Sequence, residues 1–238
     1  MEFVPNHAPF VVLAFLLTGF VGFVGTVLLL GTLLTRRWEP ARRILLALIA
    51  VSCLYGATVL AVSLASSEKI LRAGERKYFC EVDCHLAYSV TSVQTAKTLG
   101  SGEKQAAAAG TFYVVTLRTF FDPETTSANR GNGLLHPNLR MIRMLDDTGQ
   151  GYAPSLEGLK ALDVPAGKMV PLDQSLRPGD TYETTFVFDA PGDAKNPRLW
   201  LTDPLPLNWV LIGHENSFLH KKVYFALETG KEVVGNKQ

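Results

Sequence analysis

Phe79-Cys80-Glu81-Val82-Asp83-Cys84-His85 sets two thiols and an imidazole within six residues. Thiolate and imidazole are soft or borderline ligands, and paired thiols oxidise readily outside the cytoplasm. Four chemistries compete for this stretch. The first is a structural disulfide between Cys80 and Cys84. In a regular strand, residues four apart lie about 13 Å from one another, whereas a disulfide needs Cα atoms within about 7 Å. The chain must therefore bend at Val82-Asp83 for that bond to form. The second is copper or another soft metal on Cys80, Cys84 and His85, with His214 or His220 completing the site if folding brings them near. The third is covalent haem, although Cys-x3-Cys-His is one residue longer than the usual attachment spacing. The fourth is free thiols with no task. The disulfide is the preferred reading, which leaves no cofactor, with copper as the alternative.

No further catalytic pattern accompanies these residues. The chain has no glycine-rich phosphate loop, no Gly-x-Ser-x-Gly elbow and no His-Glu-x-x-His pair. His136 sits in Leu135-His136-Pro137-Asn138, a loop setting, and Asp146 and Asp147 in Asp-Asp-Thr-Gly read as turn formers. The expectation is a protein that is not an enzyme. Charge excludes a second class: 23 Lys+Arg stand against 22 Asp+Glu, and without the interhelical arginines, Glu2 and Glu39 the remainder holds 19 against 20. Such a balance has no electrostatic footprint for phosphate backbones, so nucleic acid is not an expected partner.

The elements that must position the cysteine segment begin with two uncharged apolar stretches, Phe10–Leu34 and Ile44–Ala65. At about 1.5 Å per helical residue, each is long enough for a hydrocarbon core of roughly 30 Å. The connector carries Arg36, Arg37, Arg42 and Arg43, while no Lys or Arg precedes Phe10. Short arginine-rich loops stay cytoplasmic. The expectation is a two-pass protein of a bacterial inner membrane, with both termini and the folded domain in the periplasm. The first stretch lacks a basic leading region and exceeds a signal-peptide core of about 7–15 residues, so it is read as a retained anchor. Gly19, Gly22, Gly25 and Gly31, with Ser52, Gly56, Ala57, Ala61 and Ala65, supply small residues. These suit close packing of the two helices on each other, or a face for a partner's helix. Cys53 is read as a small packing residue.

After residues 1–66 the sequence predicts a linker over 67–77, a β-sandwich over 78–230 and a tail over 231–238. Roughly 170 residues suffice for one domain with its own core. Period-two alternation with β-branched and aromatic residues marks Thr111–Phe120, Leu139–Leu145, Thr181–Phe188, Arg198–Thr202 and Lys221–Leu227 as strands. A short strand is expected near Tyr152 and a long one from Tyr78 to about Val93. Arg177-Pro178-Gly179-Asp180 is a strong turn, and Tyr182, Phe186 and Phe188 share one face. Gln105–Gly110 reads as a loop or a helical turn, and Ser155–Leu162 as the domain's one helix. About seven strands with little helix give a membrane-anchored all-β protein: a transmembrane helical hairpin followed by an antiparallel β-sandwich.

Tyr113–Leu117, Leu145–Tyr152, Leu176–Asp180 and Phe186–Pro191 together resemble a family of bacterial extracytoplasmic immunoglobulin-like domains, over roughly Phe79 to Leu227. The resemblance implies an immunoglobulin-like sandwich and no common activity. That family usually follows a single anchor, and the two-span hairpin departs from it. The Cys-x3-Cys spacing is also similar to the dinuclear copper loop of cytochrome oxidase subunit two, as is the N-out two-span layout. In that subunit, however, the histidine and methionine follow the second cysteine at longer spacings. The expected function is a non-catalytic accessory subunit docking on a larger membrane complex, with the bilayer as its other partner. The apolar run Pro204–Ile212 offers Leu205, Leu207 and Trp209 as partner contacts. The alternative is copper or thiol-redox handling at Cys80, Cys84 and His85.

Overall fold

The computed structural model describes residues 8–80, 84–125, 131–162, 170–228 and 231–232. Two N-terminal apolar helices precede a β-rich domain of two sheets, and the chain divides into two compact units. One holds the helices together with Leu205–Lys222; the other runs from Lys69 to Pro204 and resumes at Val223.

In the helical unit, α1 spans Ala8–Leu34 and α2 spans Trp38–Ala65, both long and apolar enough to cross a membrane. α2 begins six residues before the expected span, because Glu39 and Pro40 suit a first helical turn. The chain reverses through Arg36, whose φ of 54° is left-handed, and Arg37 N–H returns to Thr32 O at 2.8 Å. That contact satisfies a terminal carbonyl of α1 that would otherwise lack a partner. Half-buried positions of α1 recur at Val11, Phe15, Thr18, Gly22, Gly25, Leu29 and Thr32. Ala41, Ile44, Leu48, Val51, Tyr55, Val59 and Ser63 form the matching series on α2. Three- and four-residue steps mark the faces on which two helices pack against each other. The helices come close at Gly25, where a Cβ would stand 2.5 Å from Leu48 Cδ2. Ala57, Ala61 and Ala65 lie outside the seam and are exposed.

The β-unit has ten strands among the described residues. One sheet orders β1 (Lys69–Leu71), β9 (Val223–Ala226), β8 (Arg198–Thr202), β5 (Met141–Leu145) and β6 (Gly151–Tyr152). The other orders β10 (Lys231–Glu232), β3 (Cys84–Leu99), β4 (Ala106–Phe121) and β7 (Thr181–Ala190), with β2 (Lys77–Cys80) also on β3. Val90, Val115, Leu117 and Phe188 of the second sheet share a core with Met144, Leu199, Leu201 and Phe225 of the first. Tyr182 and Phe186 pack on the same cluster, as their alternation predicts. A smaller cluster joins Ala96, Ala106, Phe112 and Val187 to α3 (Leu156–Ala161). The Ser155 side chain caps α3 by accepting from Gly158 N–H at 3.1 Å.

Several expectations are corrected here. The single strand expected over Tyr78–Val93 is instead two strands, β2 and β3, paired antiparallel. β1 lies where a linker was expected and β10 where a tail was expected, and each makes a parallel pair, with β9 and β3 respectively. The sheets are therefore not wholly antiparallel. The Gln105–Gly110 run is not a loop, because Ala106 and Ala107 pair with Leu99 and Thr98 at the start of β4. Both 177–180 and 146–149 turn as expected. Gly179 has φ 87° and Asp180 N–H reaches Arg177 O at 2.9 Å. Asp146 accepts from the Thr148 hydroxyl and N–H, from Gln150 N–H and from the Tyr152 hydroxyl. The Thr148 hydroxyl, followed by Tyr152, lowers the Asp146 pKa.

Candidate functional site

Two places merit a site's description: the β2–β3 junction with the cysteines, and the Leu205–Lys222 excursion.

At the junction the antiparallel register sets Lys77 opposite Tyr88, Tyr78 opposite Ala87, Phe79 opposite Leu86 and, after a one-residue shift, Cys80 opposite Cys84. Directly opposed residues of an antiparallel pair have Cα atoms about 4.5–5.5 Å apart, inside the disulfide range. The antiparallel pairing of β2 with β3 thus sets the two cysteine positions opposite one another. Glu81, Val82 and Asp83, where the bend was expected, lie outside the described residues.

Around this junction Lys77, Tyr78, Asp122, Arg140 and Asp203 are buried. Lys77 is 1% exposed, and its Nζ donates to Leu201 O at 2.6 Å and to Val223 O at 3.3 Å. Arg140, also buried, pairs with Asp203 Oδ2 at 3.1 Å and stacks over the Phe79 ring at 4.3 Å. The Tyr78 hydroxyl donates to Asp122 Oδ2 at 2.5 Å, and Arg76 lies 3.6 Å from the same oxygen. The His85 ring packs 5.0 Å from that of Phe121, and His85 O accepts from Asp122 N–H at 2.8 Å. Cations that carbonyls, carboxylates and rings already hold in place are structural groups, as the members of buried polar networks are. Sequence reasoning missed Lys77, Arg140 and Asp203, because a lone charge at the end of a strand reads as exposed.

Among the described residues no group of three or more His, Cys, Asp or Glu is placed to hold a metal ion. His214 and His220, offered as further ligands, belong to the helical unit, whereas the Cys80–His85 segment belongs to the β-unit. His214 Nδ1 accepts from Asn216 N–H at 3.0 Å, and His220 Nδ1 lies 2.7 Å from Lys221 O. An open cleft of about 760 Å³ on the β-unit is lined by Tyr113, Asp147, Arg198 and Glu228 among others, with no nucleophile–base pair.

The Leu205–Lys222 segment starts with a 3-10 turn, Pro206–Val210. Leu205, Leu207 and Trp209, the expected contact residues, are 48%, 61% and 68% exposed. Asn208, Glu215 and Ser217 are buried instead. The Ser217 hydroxyl donates to Leu211 O, and Lys222 Nζ donates to Glu215 O at 2.6 Å. Burial lowers the Lys222 pKa, and nearby Glu215 opposes that shift. The Tyr55 hydroxyl of α2 donates to Val210 O at 2.8 Å.

No family model and no curated protein matches this chain. Solved structures that resemble it include a secreted protein of Mycobacterium tuberculosis (12% identity, 68% of this chain and 97% of that one, TM-score 0.40). Others are the yjhA protein of Bacillus subtilis (13%, 67% and 100%, TM-score 0.38) and a conserved hypothetical protein of Bacillus anthracis (13%, 51% and 84%, TM-score 0.37). At these scores the likeness is loose, and nothing about this chain's activity is drawn from it.

Proposed function

We propose that this protein is a non-catalytic accessory subunit of a bacterial inner-membrane complex. In this reading α1 and α2 span the membrane, the arginine-rich turn is cytoplasmic, and an immunoglobulin-like β-unit is presented in the periplasm to dock on the larger partner. The observation that carries it is the chain's path. The chain passes from helical unit to β-unit after Glu68, returns after Pro204, and leaves again after Lys222. Three crossings of the chain join the domain to its anchor, where a single flexible linker makes one. That suits presentation to a fixed neighbour. The buried charges of Lys77 and Arg140, held by carbonyls and by Asp203, support a scaffold over a reaction centre. Extraction in a mild detergent should deliver the chain in an assembly far larger than 26.0 kDa plus its micelle. Migration as a free monomer, under conditions that keep other membrane complexes whole, would contradict the role.

The opposed positions of Cys80 and Cys84 favour the disulfide over copper. In an oxidising compartment the purified protein should show both thiols blocked until reduced, with no stoichiometric metal. Closing so short a loop stabilises by roughly 2 kcal/mol in the chain-entropy account. One copper per chain that is lost on Cys84→Ser would overturn this in favour of metal handling by Cys80, Cys84 and His85.

A further inference from the structure

Leu205–Lys222 follows α2 in order. Lys221 N–H donates to Ser66 Oγ at 2.8 Å, just past the helix end. A Cβ on Gly213 would lie 3.5 Å from Val62 Cγ1, and Val210 O receives the Tyr55 hydroxyl. Tyr55 precedes the end of α2 by ten residues, about 15 Å of helical rise. The apex of the segment, Pro206–Val210, therefore lies beside the part of α2 whose length and composition fit a hydrocarbon core.

The polarity of the segment is inverted to match. Leu205, Leu207, Trp209, Val210, Phe218 and Leu219 are all 46–68% exposed, while Asn208, Glu215 and Ser217 are buried. Its backbone closes on itself: Asn208 N–H reaches Leu205 O at 3.0 Å, Phe218 N–H reaches Trp209 O at 3.3 Å, and Ser217 N–H reaches His214 O at 2.9 Å. Irregular backbone is tolerated at membrane depth only when its polar groups find partners within the protein. Leu54 and Leu64 of α2 are exposed as well.

Resting on the reading that α1 and α2 span the membrane, we propose that Leu205–Leu219 is a re-entrant segment. It dips along α2 into the leaflet next to the β-unit, where Leu205, Leu207, Trp209 and Phe218 contact acyl chains. Docking on the larger complex then falls to the β-unit.

The test uses the full chain in phosphatidylcholine vesicles, with and without bromine on the acyl chains, and compares wild type with Trp209→Phe. The difference spectrum should be blue-shifted and strongly quenched by bromolipid. Leu54→Trp in the Trp209→Phe background tests the span alone and should be quenched as well. If the Leu54→Trp indole is quenched while that of Trp209 is not, the re-entrant segment is refuted and the anchor stands. If neither is quenched, the span fails and the segment with it. An unquenched Trp209 that photocrosslinks to another protein in native membranes would assign these side chains to a protein partner and overturn the lipid assignment.

Discussion

Asp203→Ala should destabilise the β-unit by about 3–5 kcal/mol, the range for breaking a buried ion pair by removing one member. The Arg140 and Asp203 side chains are 1% and 9% exposed and meet at 3.1 Å. Truncating Asp203 leaves the guanidinium among Phe79, Tyr88 and the core with its carboxylate gone. The cost is the desolvated charge that remains, so replacing both partners should be far milder. Arg140→Met with Asp203→Leu is expected to melt near the wild-type temperature, while Asp203→Ala melts roughly 10 °C lower. A thermal scan of the purified protein, read by circular dichroism, distinguishes the two. Equal losses for the single and the double variant would show that the pair contributes packing and not charge compensation.

Gly110→Ala should cost about 2–3 kcal/mol, the upper part of the range for forcing atoms into a packed region. A Cβ there would stand 2.1 Å from Ala190 O and 2.8 Å from Pro191 Cα, both backbone atoms that cannot swing aside. The close approach comes from a large irregularity in β4. Ala96 pairs with Phe112, but Thr98 pairs with Ala107, so β4 carries extra residues between them. Asp189 fills the break by accepting from Ala109 N–H at 2.8 Å and Gly110 N–H at 3.1 Å, and Lys97 Nζ donates to Gly110 O at 2.7 Å. Bulges of this kind re-aim a strand and depend on residues without a side chain. Gly192→Ala, with nothing nearer than 3.6 Å, is the matched control and should leave the melting temperature nearly unchanged.

The helices were legible because length and apolar composition alone define them. Most β-unit strands were legible because β-branched and aromatic alternation is a local signal, as in Thr181–Phe188 within β7. Ala106–Gly110 was not, since alanine carries little strand preference and its place in β4 is set by Leu99, Thr98 and Asp189. β1 and β10 are three and two residues long, too short to display a period, and only their partners define them. At the cysteines, spacing made a bend the condition for a disulfide, while the opposition of Cys80 to Cys84 depends on the register of β2 with β3. Arg140 and Asp203 lie 63 residues apart, a pairing with no local trace. The apolar character of Leu205–Trp209 was plain in the sequence. Its association with α2 was not, because the bond from Tyr55 to Val210 spans 155 residues.

Both the accessory role and the re-entrant segment require α1 and α2 to span the membrane, with the arginine turn inside and the β-unit outside. Fusing alkaline phosphatase or green fluorescent protein after Gln238 measures this directly, because the phosphatase is active only when exported and the fluorophore matures only when retained. The expected result is an active phosphatase fusion and a dark fluorescent one. A bright fluorescent fusion with an inactive phosphatase would place the β-unit in the cytoplasm and contradict the account.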